Sequence, residues 1–189
     1  FRSTWPVVGA SRAAAMALGD TVAATPLDIA NPNDSSLASR FAVFYTSSTV
    51  RRDAVGDARV MSQSALSLSP ILLDGVVWYH VVIGASADRQ GADMLLQQLR
   101  SNKVIGGGSV TSVPFALRLE GGVSAPTVST LVNQYSRRGI LAYALLQADG
   151  KATLFTGAFE SPQQATTLAD SLRALGITPV LAYRTGRAF

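Results

Sequence analysis

Apolar positions follow the same order twice along the chain, first alternating and then recurring three and four residues apart. The first copy is "YHVVIGASADRQGADMLLQQLR" at 79–100, and the second is "TLFTGAFESPQQATTLADSLR" at 153–173. Alternation is typical of a half-buried strand, whereas spacing of three and four places side chains on one face of a helix. Asp88 and Ser161 precede the helical stretches and are the predicted N-caps. The pattern therefore predicts two strand–turn–helix units.

The two copies are related as an internal repeat. A shift of 73 positions aligns Gly84 with Gly157, and seven of the seventeen residues from 84 to 100 are then identical to their counterparts. About one identity is expected from ordinary composition. Glycine at the end of each strand suits a tight turn that a side chain would obstruct. The repeat predicts that one module is built twice.

Flanking elements complete each module. Strands are predicted at 40–48, on both sides of Asp74-Gly75, at 113–120 and on both sides of Asp149-Gly150, with further helices after 50 and before Gly139. The predicted fold class is α+β, with tandem βαββαβ modules, each a four-stranded antiparallel sheet with helices packed on one face. The modules cover 41–113 and 114–189 and share the strand at about 113–120, as stacked repeats do. Residues 1–40 lack this periodicity and are predicted to be an extended N-terminal arm, lying on its own domain or on a partner.

Composition indicates a folded, rather apolar chain. Hydrophobic residues make up 48% and charged residues 15% of the sequence, and cysteine is absent, so disulfides and thiolate chemistry are excluded. No apolar run approaches the ~20 residues that span a bilayer. Membrane contact is therefore expected only peripherally or through an anchor upstream of Phe1. The net charge of +4 is spread thinly, which disfavours nucleic acid as a partner.

Residues that could support catalysis are sparse. His80 is the only histidine, so no second imidazole or thiolate is present to share a metal ion. Glu120 and Glu160 are the only glutamates and neither has a carboxylate neighbour in the sequence, as a glycosidase pair would require. The "IGGGSV" stretch at 105–110 follows a helix and precedes a strand, the reverse of the order in a phosphate-binding loop. We therefore expect no catalytic residue, no metal and no cofactor.

The repeated unit resembles the SPOR (sporulation-related repeat) domain family. In that family an aromatic-rich strand ends in Gly-small-Phe and is followed by a short polar cap and then Ala-x-x-Leu-x-x-x-Leu. The stretches "YHVVIGAS" with its helix (79–99) and "TLFTGAF" with its helix (153–172) match this motif. The resemblance covers about residues 41–189. It implies a non-enzymatic protein of the bacterial cell envelope or periplasm that binds the glycan strands of peptidoglycan on the sheet face free of helices.

Strand alternation predicts which side chains lie on that face. If Val43, Val81 and Ile83 point toward the helices, their neighbours point away from them. The predicted binding residues are therefore Phe44, Trp78, His80, Val82, Arg118 and Phe155. Sugar rings stack on aromatic side chains, and their hydroxyls form hydrogen bonds with polar groups. This face offers several aromatic rings but few hydrogen-bonding groups.

Two other functions fit the same architecture. Because an apolar face is typical of protein contacts, the chain is alternatively an extrinsic structural or scaffold subunit of a respiratory, photosynthetic, secretion or division complex in a membrane. It would dock there through the apolar sheet face and the N-terminal arm. The RNA-recognition motif also has βαββαβ connectivity, but "GKATLFTGAF" lacks its aromatic pattern and little positive charge surrounds the sheet. RNA binding is the remote alternative.

Overall fold

The structure is a computed structural model that describes residues 27–60 and 65–189, of which residues 57–60 are described by their backbone alone. Its first module consists of β1 (Phe41–Ser48), α1 (Arg51–Val60), β2 (Leu66–Leu73), β3 (Val76–Ser86), α2 (Arg89–Ser101) and β4 (Ser109–Ser112). Its second consists of β5 (Phe115–Val123), α3 (Ala125–Arg137), β6 (Ala142–Leu146), β7 (Ala152–Phe159), α4 (Thr166–Ala174) and β8 (Val180–Tyr183), with β9 (Arg187–Ala188) at the end. Short 3₁₀ helices span Pro32–Leu37 and Pro162–Ala165.

The strands form two antiparallel sheets, one for each module. Their orders are β2-β3-β1-β4 and β8-β5-β7-β6-β9. Four strands and two helices recur in the same sequence within each module, and β9 is added to the second sheet through β6. The predicted α+β class with tandem βαββαβ modules is confirmed.

The repeat extends to the register of the strands. Phe44 lies opposite Val82 in the first sheet, and the equivalent Arg118 lies opposite Phe155 in the second. Each of these pairs is followed by a register shift of the kind a β-bulge produces, which increases the local twist. The duplicated sequence therefore specifies duplicated sheet geometry.

The repeated glycines explain why both copies need the same residue. Gly84 and Gly157 have φ of +86° and +71°, a region that residues with a side chain rarely adopt. A Cβ on Gly84 would overlap Leu95, and a Cβ on Gly157 would lie 2.9 Å from the Cδ2 of Leu168. These two leucines are themselves equivalent in the repeat. Because glycine has no side chain, each strand can approach its helix closely at this position.

Helix ends agree with the sequence in two cases and differ in one. The Asp88 carboxylate accepts a hydrogen bond of 2.7 Å from the Gly91 N–H, as an N-cap does. Gly139 ends α3 with φ of +79°. Ser161 occupies the N-cap position of the 3₁₀ turn at Pro162–Ala165 and not of the α-helix itself, and its side chain makes no capping bond. A 3₁₀ turn precedes α4, and the amide of Gln164 instead accepts from the Glu160 N–H at 3.0 Å.

The predicted shared strand at about 113–120 is wrong. The segment divides into β4 in the first sheet and β5 in the second, with Val113 and Pro114 between them. Proline has no N–H to contribute to a ladder, so hydrogen bonding cannot continue through this position. The Val113 N–H instead donates to the Arg40 carbonyl at 2.6 Å. The two sheets are thus joined by a short connection and not by a common strand.

The described part of the N-terminal arm lies on the second module. The Ala30 N–H donates to the Leu181 carbonyl at 2.9 Å, and a bridge pairs Ala38 with Thr185. Leu27 and Ile29 pack on the core beneath. Residues 27–40 therefore cover the β8 edge, where unpaired backbone groups would otherwise be exposed. Of the predicted arm, residues 1–26 lie outside the described residues.

Each helix pair packs on one face of its own sheet. Val43 and Ile83 contact α2 through Leu96 and Leu99, as the alternation predicts. In the second module, Leu154 belongs to the cluster beneath α3.

None of the described helices has the length and apolar character needed to cross a bilayer.

Candidate functional site

The helix-free faces of the two sheets pack against each other. Ala42 and Val82 of the first sheet share a buried cluster with Ala158 of the second. Phe155 lies in a neighbouring cluster with Ala65 of the first module. Val82 and Phe155 are only 2% and 1% exposed, so the prediction that they lie on an accessible binding face is wrong. Both faces are apolar, so packing one against the other removes apolar surface from water and stabilises the junction.

Strand β2 also extends into the second module. The Ser69 hydroxyl donates to the Ala158 carbonyl at 3.0 Å and accepts from the Ala158 N–H at 2.7 Å. Ile71 joins the core cluster of Leu117 and Phe159. A buried hydroxyl that satisfies both backbone groups of one residue in β7 fixes the position of the modules relative to each other.

Arg184 lies at the centre of this junction and is fully buried. Its guanidinium donates to the Gly84 carbonyl at 2.6 Å, to the Val113 carbonyl at 3.2 Å and to the Tyr143 hydroxyl at 2.9 Å. Among the described residues it forms no ion pair, so neutral acceptors and the Tyr143 ring, 5.5 Å away, stabilise the charge. Because the charge is buried, the loss of any one of these contacts would destabilise the junction.

Tyr143 extends the same network to the second glycine of the repeat. Its hydroxyl donates to the Gly157 carbonyl at 2.8 Å while accepting from Arg184. Burial raises the pKa of Tyr143, an effect that the nearby Arg184 charge opposes, so the hydroxyl keeps its proton at neutral pH. Hydrogen bonds therefore run from Gly84 of one module to Gly157 of the other. The sequence did not identify Arg184 as a buried residue, because a charged residue directly after an apolar strand such as "VLAY" is common.

The predicted binding residues do not form one surface. Phe44, His80 and Val82 meet in a groove of about 260 Å³ between the modules, and we call it the seam groove. Trp78 lies outside it on the β2–β3 hairpin, and Arg118 belongs to the second sheet. The structure thus brings three of the six predicted residues together.

The second module supplies polar groups to the seam groove. Glu160 and Gln164 line it opposite His80, and the Thr111 hydroxyl donates to the Glu160 carboxylate at 3.2 Å. The rings of Phe44 and His80 meet edge to face with centroids 5.2 Å apart. A ring, a carboxylate and an amide in one groove are suited to binding a small hydroxylated molecule. Sequence reasoning missed Glu160 and Gln164 because it treated each sheet separately.

His80 should make the stability of the protein depend on pH. Burial lowers the pKa of His80 from 6.5, and the Glu160 charge raises it by a smaller amount. Since the folded pKa is the lower one, the stabilisation is fully present above pH 6.5 and is lost as pH falls through the folded value. We expect the free energy of unfolding to decrease more between about pH 7.5 and pH 5 in the wild type than in His80→Gln. Urea titrations measure it, and equal decreases would contradict the expectation, because the chain has no other histidine.

The β2–β3 hairpin carries an exposed apolar cluster. Strand β1 pairs with β3 only as far as Tyr79, so residues 72–77 form a two-stranded end of the sheet that extends beyond β1. Leu72, Leu73, Val76 and Trp78 are 57%, 44%, 46% and 37% exposed. Asp74 and Gly75 form the turn, both with positive φ. We call residues 72–78 the hairpin tip.

Comparison of the chain with protein-family models, with curated proteins and with solved structures finds no match.

Proposed function

We propose that this protein is a non-catalytic subunit of a bacterial envelope complex that docks on a protein partner through its hairpin tip. The observation that carries the proposal is the exposure of four large apolar side chains on one projecting hairpin. The β2–β3 register places Leu73, Val76 and Trp78 on one face of the hairpin and Leu72 on the other. Grouped exposed apolar residues are typical of interaction sites, and tryptophan is enriched among the residues that dominate binding energy. The envelope location rests on the SPOR resemblance alone.

A protein partner fits the hairpin tip better than a lipid surface does. Asp74 lies in the two-residue turn between Leu73 and Val76 and would enter the membrane first. Placing a carboxylate in the hydrocarbon core costs about 3 kcal/mol, whereas a protein partner can supply a donor for it.

The seam groove supports a second candidate function, the binding of a saccharide. The SPOR resemblance implies glycan binding across a helix-free sheet face, and that face is largely buried between the modules. The seam groove keeps an aromatic ring at Phe44 and hydrogen-bonding groups at Glu160 and Gln164. A groove of about 260 Å³ suits one end of a glycan strand better than an extended strand lying across a sheet.

Replacing the hairpin tip tests the docking proposal. We expect the triple variant Leu72→Ser, Leu73→Ser, Val76→Ser to keep its fold, because these side chains are exposed, and to lose stoichiometric copurification with a complex from solubilised membranes. Met94→Ser is the matched control, since Met94 is an equally exposed apolar residue on α2.

Two outcomes would contradict docking through the hairpin tip. One is a triple variant that copurifies as the wild type does. The other is flotation of the wild type, but not of the triple variant, with anionic lipid vesicles, which would identify a lipid surface instead. Retention on peptide-stripped sacculi that Phe44→Ala abolishes and the triple variant preserves would favour the saccharide.

A further inference from the structure

We infer a second binding site, for an apolar side chain next to a carboxylate on a partner protein, in a groove on the helical side of the module junction. This groove has a volume of about 210 Å³ and lies between the β2–β3 hairpin and α4. We call it the basic groove. Its apolar lining comes from both modules: Leu68, Pro70, Val77, Tyr79, Leu168 and Leu175. The inference rests on the proposed docking function and specifies the chemistry of the segment that is bound.

The size of the basic groove fits a single anchoring side chain. A cavity of about 150 Å³ holds a benzene molecule, so about 210 Å³ accommodates one aromatic or branched aliphatic side chain. Leu175 at the edge is 46% exposed, which leaves the groove open on one side. An anchor of this kind removes apolar surface of both partners from water.

Positive charge lies at the rim of the basic groove. Arg51 lines it and donates through one terminal nitrogen to the Gly139 carbonyl at 2.8 Å. Arg138 donates to the carbonyl of the groove residue Leu175 at 2.9 Å. Both arginines are exposed, and each bond uses only one terminal nitrogen of a guanidinium that has five N–H donors, so donors remain for a ligand.

No ion pair to this rim is present among the side chains that the structure describes, those of residues 27–56 and 65–189. The two ion pairs there join Arg89 to Asp93 and Arg173 to Asp170. Arg52 adds a further charge, since it shares an adjoining surface hollow with Arg51. A planar guanidinium matches the geometry of a carboxylate, which it can bind through two parallel hydrogen bonds.

Continuity with the hairpin tip favours a protein segment as the occupant. Val77 lines the basic groove and lies opposite Leu72 of the hairpin tip in the β2–β3 register, so these two side chains share one face of the hairpin. A partner that contacts Leu72 therefore reaches the groove along the same face. The expected segment carries a leucine or phenylalanine followed by aspartate, glutamate or a chain terminus.

Two fluorescent probes that differ by one anionic group test the site in the isolated protein. Anilinonaphthalene sulfonate carries an apolar ring system and a sulfonate, and phenylnaphthylamine carries the ring system alone. We expect the sulfonate probe to bind with one site per chain and about tenfold more tightly than the neutral probe. Arg51→Gln should weaken the sulfonate probe about tenfold and leave the neutral probe unchanged, whereas Arg89→Gln should change neither.

Competition identifies the natural class of ligand. An acetylated Ser-Gly-Leu-Asp peptide should displace the sulfonate probe, and its Leu-Asn counterpart should do so about tenfold less well. Equal affinity for the two probes, or an unchanged affinity in Arg51→Gln, would overturn the site. Displacement by phosphatidylglycerol vesicles but not by the peptide would overturn the protein segment as its ligand.

A second variant separates this inference from the docking proposal. Leu175→Glu places a carboxylate beside Arg51 and Arg138 and should abolish binding of the sulfonate probe, even if Arg51→Gln proves unstable. If Leu175→Glu and the hairpin-tip variant both lose the complex, both proposals are supported. If only the hairpin-tip variant loses it, docking stands and the basic groove is rejected.

Discussion

Arg184→Met is expected to lower the free energy of unfolding by about 4 kcal/mol. The substitution removes the donors that reach the carbonyls of Gly84 and Val113 and the hydroxyl of Tyr143, all in the buried junction. A buried acceptor left without a partner costs about 1–3 kcal/mol. Methionine fills much of the vacated volume and carries no charge to desolvate, which offsets part of the loss. Urea unfolding at neutral pH measures the difference.

Matched variants show whether the loss comes from the junction. Arg187→Met removes an exposed arginine three residues away and should change stability by less than about 0.5 kcal/mol. Tyr143→Phe removes the acceptor of Arg184 and the donor to Gly157, so its effect should not add to that of Arg184→Met. A loss below about 1 kcal/mol in Arg184→Met, or full additivity in the double variant, would contradict the network.

Gly157→Ala is expected to destabilise the protein by about 3 kcal/mol. Its φ of +71° costs an alanine about 1 kcal/mol. The new Cβ would also lie 2.5 Å from the Cζ of Phe159 and 2.9 Å from the Cδ2 of Leu168, both part of the packed core. Overpacking of this kind adds about 1–3 kcal/mol.

Gly176→Ala separates the two contributions. Gly176 has φ of +74°, and a Cβ there would meet no atom within 4 Å, so this variant reports the backbone cost alone. Gly157→Ala should therefore be the more destabilising by about 2 kcal/mol in chemical unfolding. Equal losses would show that the β7 strand can withdraw from α4, and close approach would no longer explain why the glycine is repeated.

Periodicity was sufficient to predict the modules and the orientation of their side chains. Ala92, Leu96 and Leu99 are buried under the first sheet as their spacing predicts, and Val82 and Phe155 do point away from the helices. Periodicity reports which residues share a face, but it does not report what covers that face. The sequence did contain one indication that the helix-free faces are covered. The stretches "VVIGA" in β3 and "ATLFTGAF" in β7 are nearly continuous apolar runs, which are typical of strands buried on both sides.

The remaining differences arise from contacts between residues far apart in the chain. Arg184 binds a carbonyl one hundred positions earlier, and Ser69 binds Ala158 across the junction. Neither residue belongs to a motif, because a lone arginine or serine near a strand is ordinary in sequence. Pro114 was a readable signal for dividing the predicted shared strand, since it removes a ladder hydrogen bond.

The buried junction also determines where a partner can bind. With the helix-free faces packed together, the described surface presents the hairpin tip, the seam groove and the basic groove as its candidate contact regions. Because residues of both modules line each groove, loss of the junction would abolish both grooves but leave the hairpin tip in place. Stability of the junction and binding in the grooves are therefore coupled.

Thiol labelling of single-cysteine variants tests most directly whether the two sheets cover each other. The chain has no cysteine, so Ala42→Cys on the helix-free face of the first sheet and Val76→Cys on the hairpin tip each introduce a single thiol. Ala42 is fully buried and Val76 is 46% exposed. Under native conditions, we expect Ala42→Cys to react with a maleimide at least about a hundredfold more slowly than Val76→Cys. Equal rates in two folded variants would show that the sheet face is open to solvent and would contradict the account.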